Sequence, residues 1–509
     1  MTDQTRERVA QFAAPPKTHT KAETRRAARK RGLARLVAAA GASVILGGSP
    51  SLAAPTAEGF REFVREFRGT ALSRGVNPQV FDRAFDGVVL NEDVMRLDRR
   101  QPEFTKPIWE YLRVRLSNKF VDRGLEKKQI NAEALANIEE RYKVEKEVVA
   151  AIWGLESFYG ANRGDIRVVE ALATLAYEGR RRKFGKEQLL AALKIIQNGD
   201  TSPENMVGSW AGAMGHTQFI PTSYLALAVD YGGDGRRDIW SEDPTDALAS
   251  TANYLTKNGW RMGEPWGFQV AIPAQFDYSR YAEARLSTDN WGAAGLTLAS
   301  GGPLPAGYDG AELLLPAGAL GPAFLVLGNY RALLRYNNAT AYALAVALLS
   351  ERLSDRPARV LTWPEDDRPL NGEERREMQS TLNELGFNAG PVDGILGGGS
   401  RRAIRNFQAS NSMIADGYPS SRLLDDLRRA LAAKSAPILR VAAGPASAED
   451  VREIQALLNA LGYRLTIDGK VGPRTQRAIQ RFLDDRDVNL SAEASREVLA
   501  ELRRAVRGG

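Results

Sequence analysis

The sequence predicts a mainly α protein: one large helical domain with a small strand-bearing insertion, followed by two small helical modules. Three observations carry this. From Ala57 to about Arg359 apolar residues recur at helical spacing, punctuated by Gly-containing loops. Residues 268–326 differ, being rich in Gly, Pro and Ala with short apolar runs (Val270-Ala-Ile272, Leu313-Leu-Leu315, Phe324-Leu-Val-Leu327) of strand length. Beyond the polar, Pro-bearing stretch Thr362–Leu370 the chain repeats itself. A length of 509 residues fits this division, since domains run to roughly 100–200 residues each.

Residues 1–53 hold ten Lys/Arg and three acids, which is the whole of the chain's formal charge of +7; beyond them 59 basic residues face 59 acidic ones. The basic leader is followed by an apolar run of 12 residues, Leu36–Gly47, and by the small residues Ser51-Leu-Ala53-Ala54. Twelve residues fall short of the ~20 that span a bilayer. The pattern is that of a secretory signal peptide cleaved near Ala53/Ala54, with a disordered N-terminus or an uncleaved anchor as the alternative reading. It predicts a periplasmic protein with no transmembrane anchor in the mature chain. The basic surplus then belongs to the leader, and no basic, aromatic-interleaved patch elsewhere points to nucleic acid.

The remaining elements follow in order: a large domain over 54–358, a linker over 359–372, a first module over 373–432, a linker over 433–447 and a second module over 448–509. The repeat is explicit. Arg376-Glu-Met-Gln, Leu385-Gly-Phe387, Asp393-Gly394, Ala403-Ile404 and Phe407 recur as Arg452-Glu-Ile-Gln, Leu461-Gly-Tyr463, Asp468-Gly469, Ala478-Ile479 and Phe482. Each copy reads as an amphipathic helix ended by Leu-Gly, a tight Asp-Gly turn and a second helix. Two such copies are independent modules, because a solenoid needs three or more stacked repeats.

Composition narrows the chemistry. With no Cys and only His19 and His216, the chain lacks a thiolate nucleophile, disulfides and Cys-based metal sites, and Ser/His/Asp or multi-His chemistry is nearly excluded. Carboxylates, hydroxyls and amides remain. In Val148–Gly160 the spacing of Val149, Ile152 and Glu156 puts a carboxylate on the same helix face as two aliphatics. Desolvation there would raise its pKa and make it a proton donor near neutral pH; a carboxylate satisfied by a buried Arg or by loop amides fits the same pattern. A second segment, Gly208–Tyr224, combines glycines with Ser209, Gln218 and Tyr224 beside an apolar wall, the composition of a sugar-binding cleft or of a Gly-rich helix junction packed on Trp210.

From about Phe60 to Leu353 the chain resembles the catalytic domain of the lytic murein transglycosylase B family. The motifs are Gln101-Pro-Glu-Phe-Thr105, Ile108-Trp109-Glu-Tyr111, Gly154-Leu-Glu156-Ser-Phe-Tyr-Gly160, Ala171-Leu-Ala-Thr-Leu175, Gly179-Arg180-Arg181, the Ser209–Tyr224 run, Ala252-Asn-Tyr254-Leu and Arg335-Tyr336-Asn337. The repeats resemble a three-helix peptidoglycan-binding module. The resemblance implies a lysozyme-like catalytic fold acting on peptidoglycan glycan strands, with Glu156 as the single catalytic acid/base. It further implies substrate contacts from Ser209, Gln218, Tyr254, Tyr336 and Asn337, with Arg180 and Arg181 as a basic pair near the cleft. His216 stands where the family commonly has an aromatic or small residue, and reads as a loop or wall residue.

In such an enzyme one glutamic acid protonates the glycosidic oxygen between N-acetylmuramic acid and N-acetylglucosamine. Its conjugate base then deprotonates the muramoyl C6 hydroxyl, which closes a 1,6-anhydro ring. No cofactor is needed. A hydrolase would require a second carboxylate roughly 5–10 Å away; Asp165, Glu170 and Glu178 are possible but occupy no motif position. A muramidase and a non-catalytic wall-binding scaffold are the alternative readings. Asp230, Asp234 and Asp238 fall at positions 1, 5 and 9 of an EF-hand-like loop with Gly235 at position 6 and Asp246 downstream, a possible structural Ca2+ site. Gly232 at position 3 and Ser241 at position 12 depart from that pattern, and a plain Asp-Gly turn is the alternative.

Overall fold

The computed structural model describes residues 55–99, 106–178, 181–354, 356, 358–435, 445–486, 488 and 490–507. The expected leader and Arg180 lie outside the described residues. Among the described residues, no helix is long and apolar enough to cross a membrane.

Two apolar cores build the large domain. The first centres on helices Lys146–Ser157 and Thr340–Leu353, flanked by Ile108–Arg115, Asn118–Ile130, Ala132–Tyr142 and Thr245–Lys257. Nine of the twelve residues of Lys146–Ser157 are buried, so this helix is central and not a one-faced surface helix. The second core centres on Val168–Tyr177 and Arg182–Gln197, covered by Ala57–Ser73, Pro78–Ala84 and Glu92–Arg99. Local chemistry starts these covering helices: the Thr56 hydroxyl accepts from Gly59 N–H, and Asn77 caps a helix whose first residue is Pro78. Tyr336 packs against both cores and marks the seam between them.

A two-stranded ribbon, β1 (Ile166–Arg167) with β2 (Val207–Gly208), flanks the second core. The insertion forms an antiparallel sheet of β3 (Gly267–Ala271), β4 (Arg285–Leu286), β5 (Thr297–Leu298), β6 (Ala311–Leu314) and β8 (Ala323–Val326), in the order β4-β6-β8-β3-β5. The short strand β7 (Pro316–Ala319) joins β6 to β8. All three apolar runs predicted as strands contribute, and Trp291 fills the insertion's own core, its Nε1–H donating to Ala311 O at 3.0 Å.

Each module is three helices around a separate core: Gly372–Leu385, Gly398–Ser410 and Ser421–Ser435, then Ala448–Ala460, Pro473–Asp484 and Arg496–Arg507. The repeated Gln explains the Asp-Gly turn. Gln379 is 1% exposed; its Nε2 donates to Asp393 Oδ1 (3.0 Å) and Ile395 O (3.2 Å), and its Oε1 accepts from Gly394 N–H (2.7 Å). Gln455 does the same with Asp468 (2.9 Å), Lys470 O (3.1 Å) and Gly469 N–H (2.9 Å). Gly394 and Gly469 sit at φ +80° and +73°, the left-handed region that favours glycine.

The first module rests on the insertion. Asp416 Oδ2 accepts from Ala319 N–H at 2.8 Å, and Arg405 pairs with Glu283 at 3.3 Å. Among the described residues no hydrogen bond or ion pair joins the second module to the first or to the large domain.

Candidate active site

The Lys146–Ser157 helix ends abruptly just past Glu156. Phe158, Tyr159 and Gly160 follow at φ +50°, +58° and +82°, three left-handed residues in succession that reverse the chain. Tyr159 then folds back under the helix. Gly154 provides the space, since a Cβ there would lie 2.6 Å from the Tyr159 ring. Ser157 and Trp153, on either side of Glu156, both anchor to His216: Ser157 Oγ donates to His216 O at 2.6 Å, and Trp153 Nε1–H donates to His216 Nδ1 at 3.1 Å.

His216 is therefore a structural residue of the wall. It is 3% exposed, its Nε2 lies 2.7 Å from Ser241 O, and Arg163 Nη1 lies 3.0 Å from the same nitrogen. A neutral ring protonated on Nε2 satisfies both the Trp153 donor and the Ser241 acceptor. Burial, reinforced by the Arg163 cation, lowers its pKa.

Val149 and Ile152 are fully buried, and Glu156 extends the same face to the seam, where it is partly exposed. Its Oε1 accepts from the Tyr342 hydroxyl at 2.6 Å. Burial raises its pKa from the ordinary 4.5 to about 7, while the Tyr342 hydrogen bond and the Arg115 cation pull the other way. No acidic group acts on it among the described residues; Arg115, held between the Tyr111 and Phe120 rings at 5.5 Å from each, is the charged neighbour. Among the described residues, dry surroundings and not a second carboxylate raise the pKa.

An aromatic wall stands beside it. Tyr342 stacks on Tyr336 (centroids 6.4 Å apart, planes within 5°), and Tyr254 meets Tyr336 edge-on at 4.8 Å. Hydrogen bonds fix both rings: the Tyr336 hydroxyl donates to Thr217 O at 2.7 Å and that of Tyr254 to Arg335 O at 2.5 Å. Phe219 contacts both rings at 5.9 Å.

The other expected contacts are placed as follows. Gln218 adopts φ +52°, and its side-chain amide donates to Arg163 O (3.0 Å) and Gly215 O (2.9 Å), stapling the loop that carries Thr217. Ser209 Oγ accepts from Ala213 N–H at 3.1 Å and closes the 209–213 turn. Asn337 is exposed just after Tyr336, in extended backbone. Arg181 is engaged on the second core, pairing with Asp98 at 3.3 Å and lying over the Trp210 ring. Of the possible second carboxylates, Glu170 accepts from Asn91 Nδ2 at 2.7 Å and Asp165 is exposed. Tyr342 is the residue that sequence reasoning missed: set among Ala and Leu in an apolar helix, it reads as core.

The acidic loop closes on itself. Asp230 accepts from the amides of Gly233 (2.6 Å), Asp234 (3.2 Å) and Gly235 (2.8 Å). Asp234 accepts from Arg236 N–H at 2.8 Å, and Asp238 from Trp240 (2.8 Å) and Ser241 (3.1 Å). Asp246 takes Tyr231 (2.9 Å), Gly232 (3.4 Å) and Asp238 (2.9 Å). Among the described residues no group of three or more His, Cys, Asp or Glu is arranged to hold a metal ion. The four aspartates order the loop by accepting its backbone amides.

A helical domain with a desolvated glutamate beside an aromatic wall, on the seam between two cores, belongs to the lysozyme-like class. The model of the family described as "Transglycosylase SLT domain" matches residues 59–351, and this chain belongs to that family. A peptidoglycan binding domain family matches residues 371–427 and 447–500. SltB3 from Pseudomonas aeruginosa, solved in complex with NAG-anhNAM-pentapeptide and with NAG-NAM-pentapeptide, is 51% identical with a TM-score of 0.70, over 72% of this chain and 99% of that one. Soluble lytic transglycosylase SltB1 from the same organism is 31% identical with a TM-score of 0.51, over 58% and 98%. Membrane-bound lytic murein transglycosylase B of Escherichia coli (strain K12) is 35% identical over 217 residues, 42% of this chain; the chain covers 58% of that relative's length.

Proposed function

We propose that this chain is a peptidoglycan lytic transglycosylase, cleaving the β-1,4 bond from N-acetylmuramic acid to N-acetylglucosamine without water and leaving 1,6-anhydro-muramoyl ends. The observation that carries the reading is Glu156 with its pKa near 7 and, among the described residues, no carboxylate partner. Near neutral pH a substantial fraction of it holds a proton to give to the glycosidic oxygen. The leaving N-acetylglucosamine departs with that proton. The Tyr342 hydroxyl supports the carboxylate that remains, and this carboxylate takes the proton of the muramoyl C6 hydroxyl as its oxygen attacks C1. Glu156 is thereby reprotonated and the cycle closes with no water consumed. The reaction uses no cofactor. Tyr254, Tyr336 and Phe219 supply the apolar wall, and Ser209, Gln218 and Asn337 shape the sugar-contacting rim.

A muramidase would need a second carboxylate to activate or replace water, and Glu156 has none acting on it among the described residues. The 51% identical relative crystallised with NAG-anhNAM-pentapeptide supports the anhydro product. Residues 1–53 are read as an export leader, which places the enzyme in the periplasm with its substrate. Digestion of purified sacculi tests the assignment. The wild type should release soluble muropeptides and Glu156→Gln should not; equal digestion by both would remove Glu156 from the mechanism, and binding without digestion by the wild type would favour a scaffold.

A further inference from the structure

Twelve large apolar side chains are exposed among the described residues, and four of them flank the two Asp-Gly turns: Val392 and Ile395 in the first module, Ile467 and Val471 in the second. Single exposed aliphatics need no explanation, but recurrence on one turn in both copies does. Val392 and Ile467 occupy the same place, immediately before the turn Asp, at 47% and 51% exposure.

Beside each turn lies an equivalent arginine. Arg376 Cγ is 3.4 Å, and Arg452 Cγ 3.2 Å, from where a side chain on Gly394 or Gly469 would begin. Both arginines are exposed, and neither forms an ion pair within the described residues; Arg376 donates to Gly372 O at 3.3 Å. The turn carboxylates are engaged inward, Asp393 with Gln379 and the Ile395 amide, Asp468 with Gln455 and the Lys470 amide. Each turn thus presents aliphatic surface beside a guanidinium open to an outside anion. Among the described residues no aromatic ring of either module is fully exposed for a sugar to stack on: Phe407 and Phe482 are buried, and Phe387, Tyr418 and Tyr463 are half-buried. In the first module the segment resting on the insertion is a different one, carrying Arg405 and Asp416.

We infer that the Asp-Gly turn of each module binds a short acidic peptide with methyl side chains, the chemistry of the peptidoglycan stem, and does not bind the glycan. This rests on the reading of the chain as a wall enzyme. Two such faces on one chain add through effective concentration.

The test uses the full chain carrying Glu156→Gln, so that sacculi are not digested, with and without Val392→Ser, Arg376→Gln, Ile467→Ser and Arg452→Gln together. Each protein is titrated against intact sacculi and against sacculi stripped of stem peptides by an amidase. The cleft is the same in both proteins, so the difference between them isolates the turns. The substituted protein should bind intact sacculi about tenfold or more weakly, with an unchanged melting temperature, and the difference should vanish on stripped glycan. Equal binding of intact sacculi by both proteins, or a difference that persists on stripped glycan, overturns the inference. Failure of the parent to bind intact sacculi overturns the wall-enzyme reading itself.

Discussion

Glu156 and Asp246 are both half-buried carboxylates, and burial pushes both above their ordinary pKa. They sit at opposite helix poles. Asp246 is in the first turn of Thr245–Lys257, where helix-end amides favour an anion, and it accepts three backbone N–H groups from the 230–238 loop. Glu156 is in the last turn of Lys146–Ser157, at the pole that disfavours an anion, with the Tyr342 hydroxyl as its hydrogen-bond donor. The difference separates a carboxylate that organises backbone from one suited to exchange a proton: burial raises both, and the three amide donors on Asp246 against the single hydroxyl on Glu156 set them apart.

The largest expected effect comes from removing the exchangeable proton. Glu156→Gln should lower turnover of sacculi by about 10²–10⁴-fold, the range for a lost general acid. It should also stabilise the fold at neutral pH. A folded pKa near 7 against 4.5 unfolded means that the wild type loses stability as pH rises between those values, while the Gln variant does not. The gap between their melting temperatures should open from pH 4.5 to 7.

Tyr342→Phe sharpens the comparison by leaving Glu156 without its donor. The ionised form loses support, its pKa rises further, and the descending limb of kcat/KM against pH should move above 7, with a loss of rate on the order of tenfold. An unmoved limb would mean that another group sets it.

Asp246→Ala should do the reverse: cost about 1–3 kcal/mol of stability in urea unfolding by stranding loop amides, and leave the pH dependence of turnover in place. The smallest effect concerns the same loop. Because its aspartates already order the loop through backbone amides, exchanging calcium for EDTA should leave the melting temperature unchanged; a rise with calcium would show that the loop holds the ion.

Much of this was legible in the sequence, and the gaps have physical causes. Glu156 stood out because an acid at helical spacing from Val149 and Ile152 contradicts the apolar face around it. The modules were legible because Gln, Asp-Gly and Leu-Gly recur together, Gln and Asp-Gly building the turn and Leu-Gly ending the helix before it. Tyr342 was not, because its partner lies 186 residues away and a tyrosine in an Ala/Leu helix is indistinguishable from core. The aspartate loop shows the converse: spacing that resembles metal ligation also suits Asx turns, and the sequence pattern alone fits both. Arg181 matched a motif position, yet its contacts are with Asp98 and Trp210.

The central claim is that one glutamate serves as acid and then as base, with a sugar hydroxyl in place of water. Digesting sacculi in water enriched in heavy oxygen and weighing the muropeptides tests it directly. The account predicts anhydro ends, each lighter by one water than a reducing end and free of heavy oxygen. Reducing ends carrying the heavy isotope would contradict it.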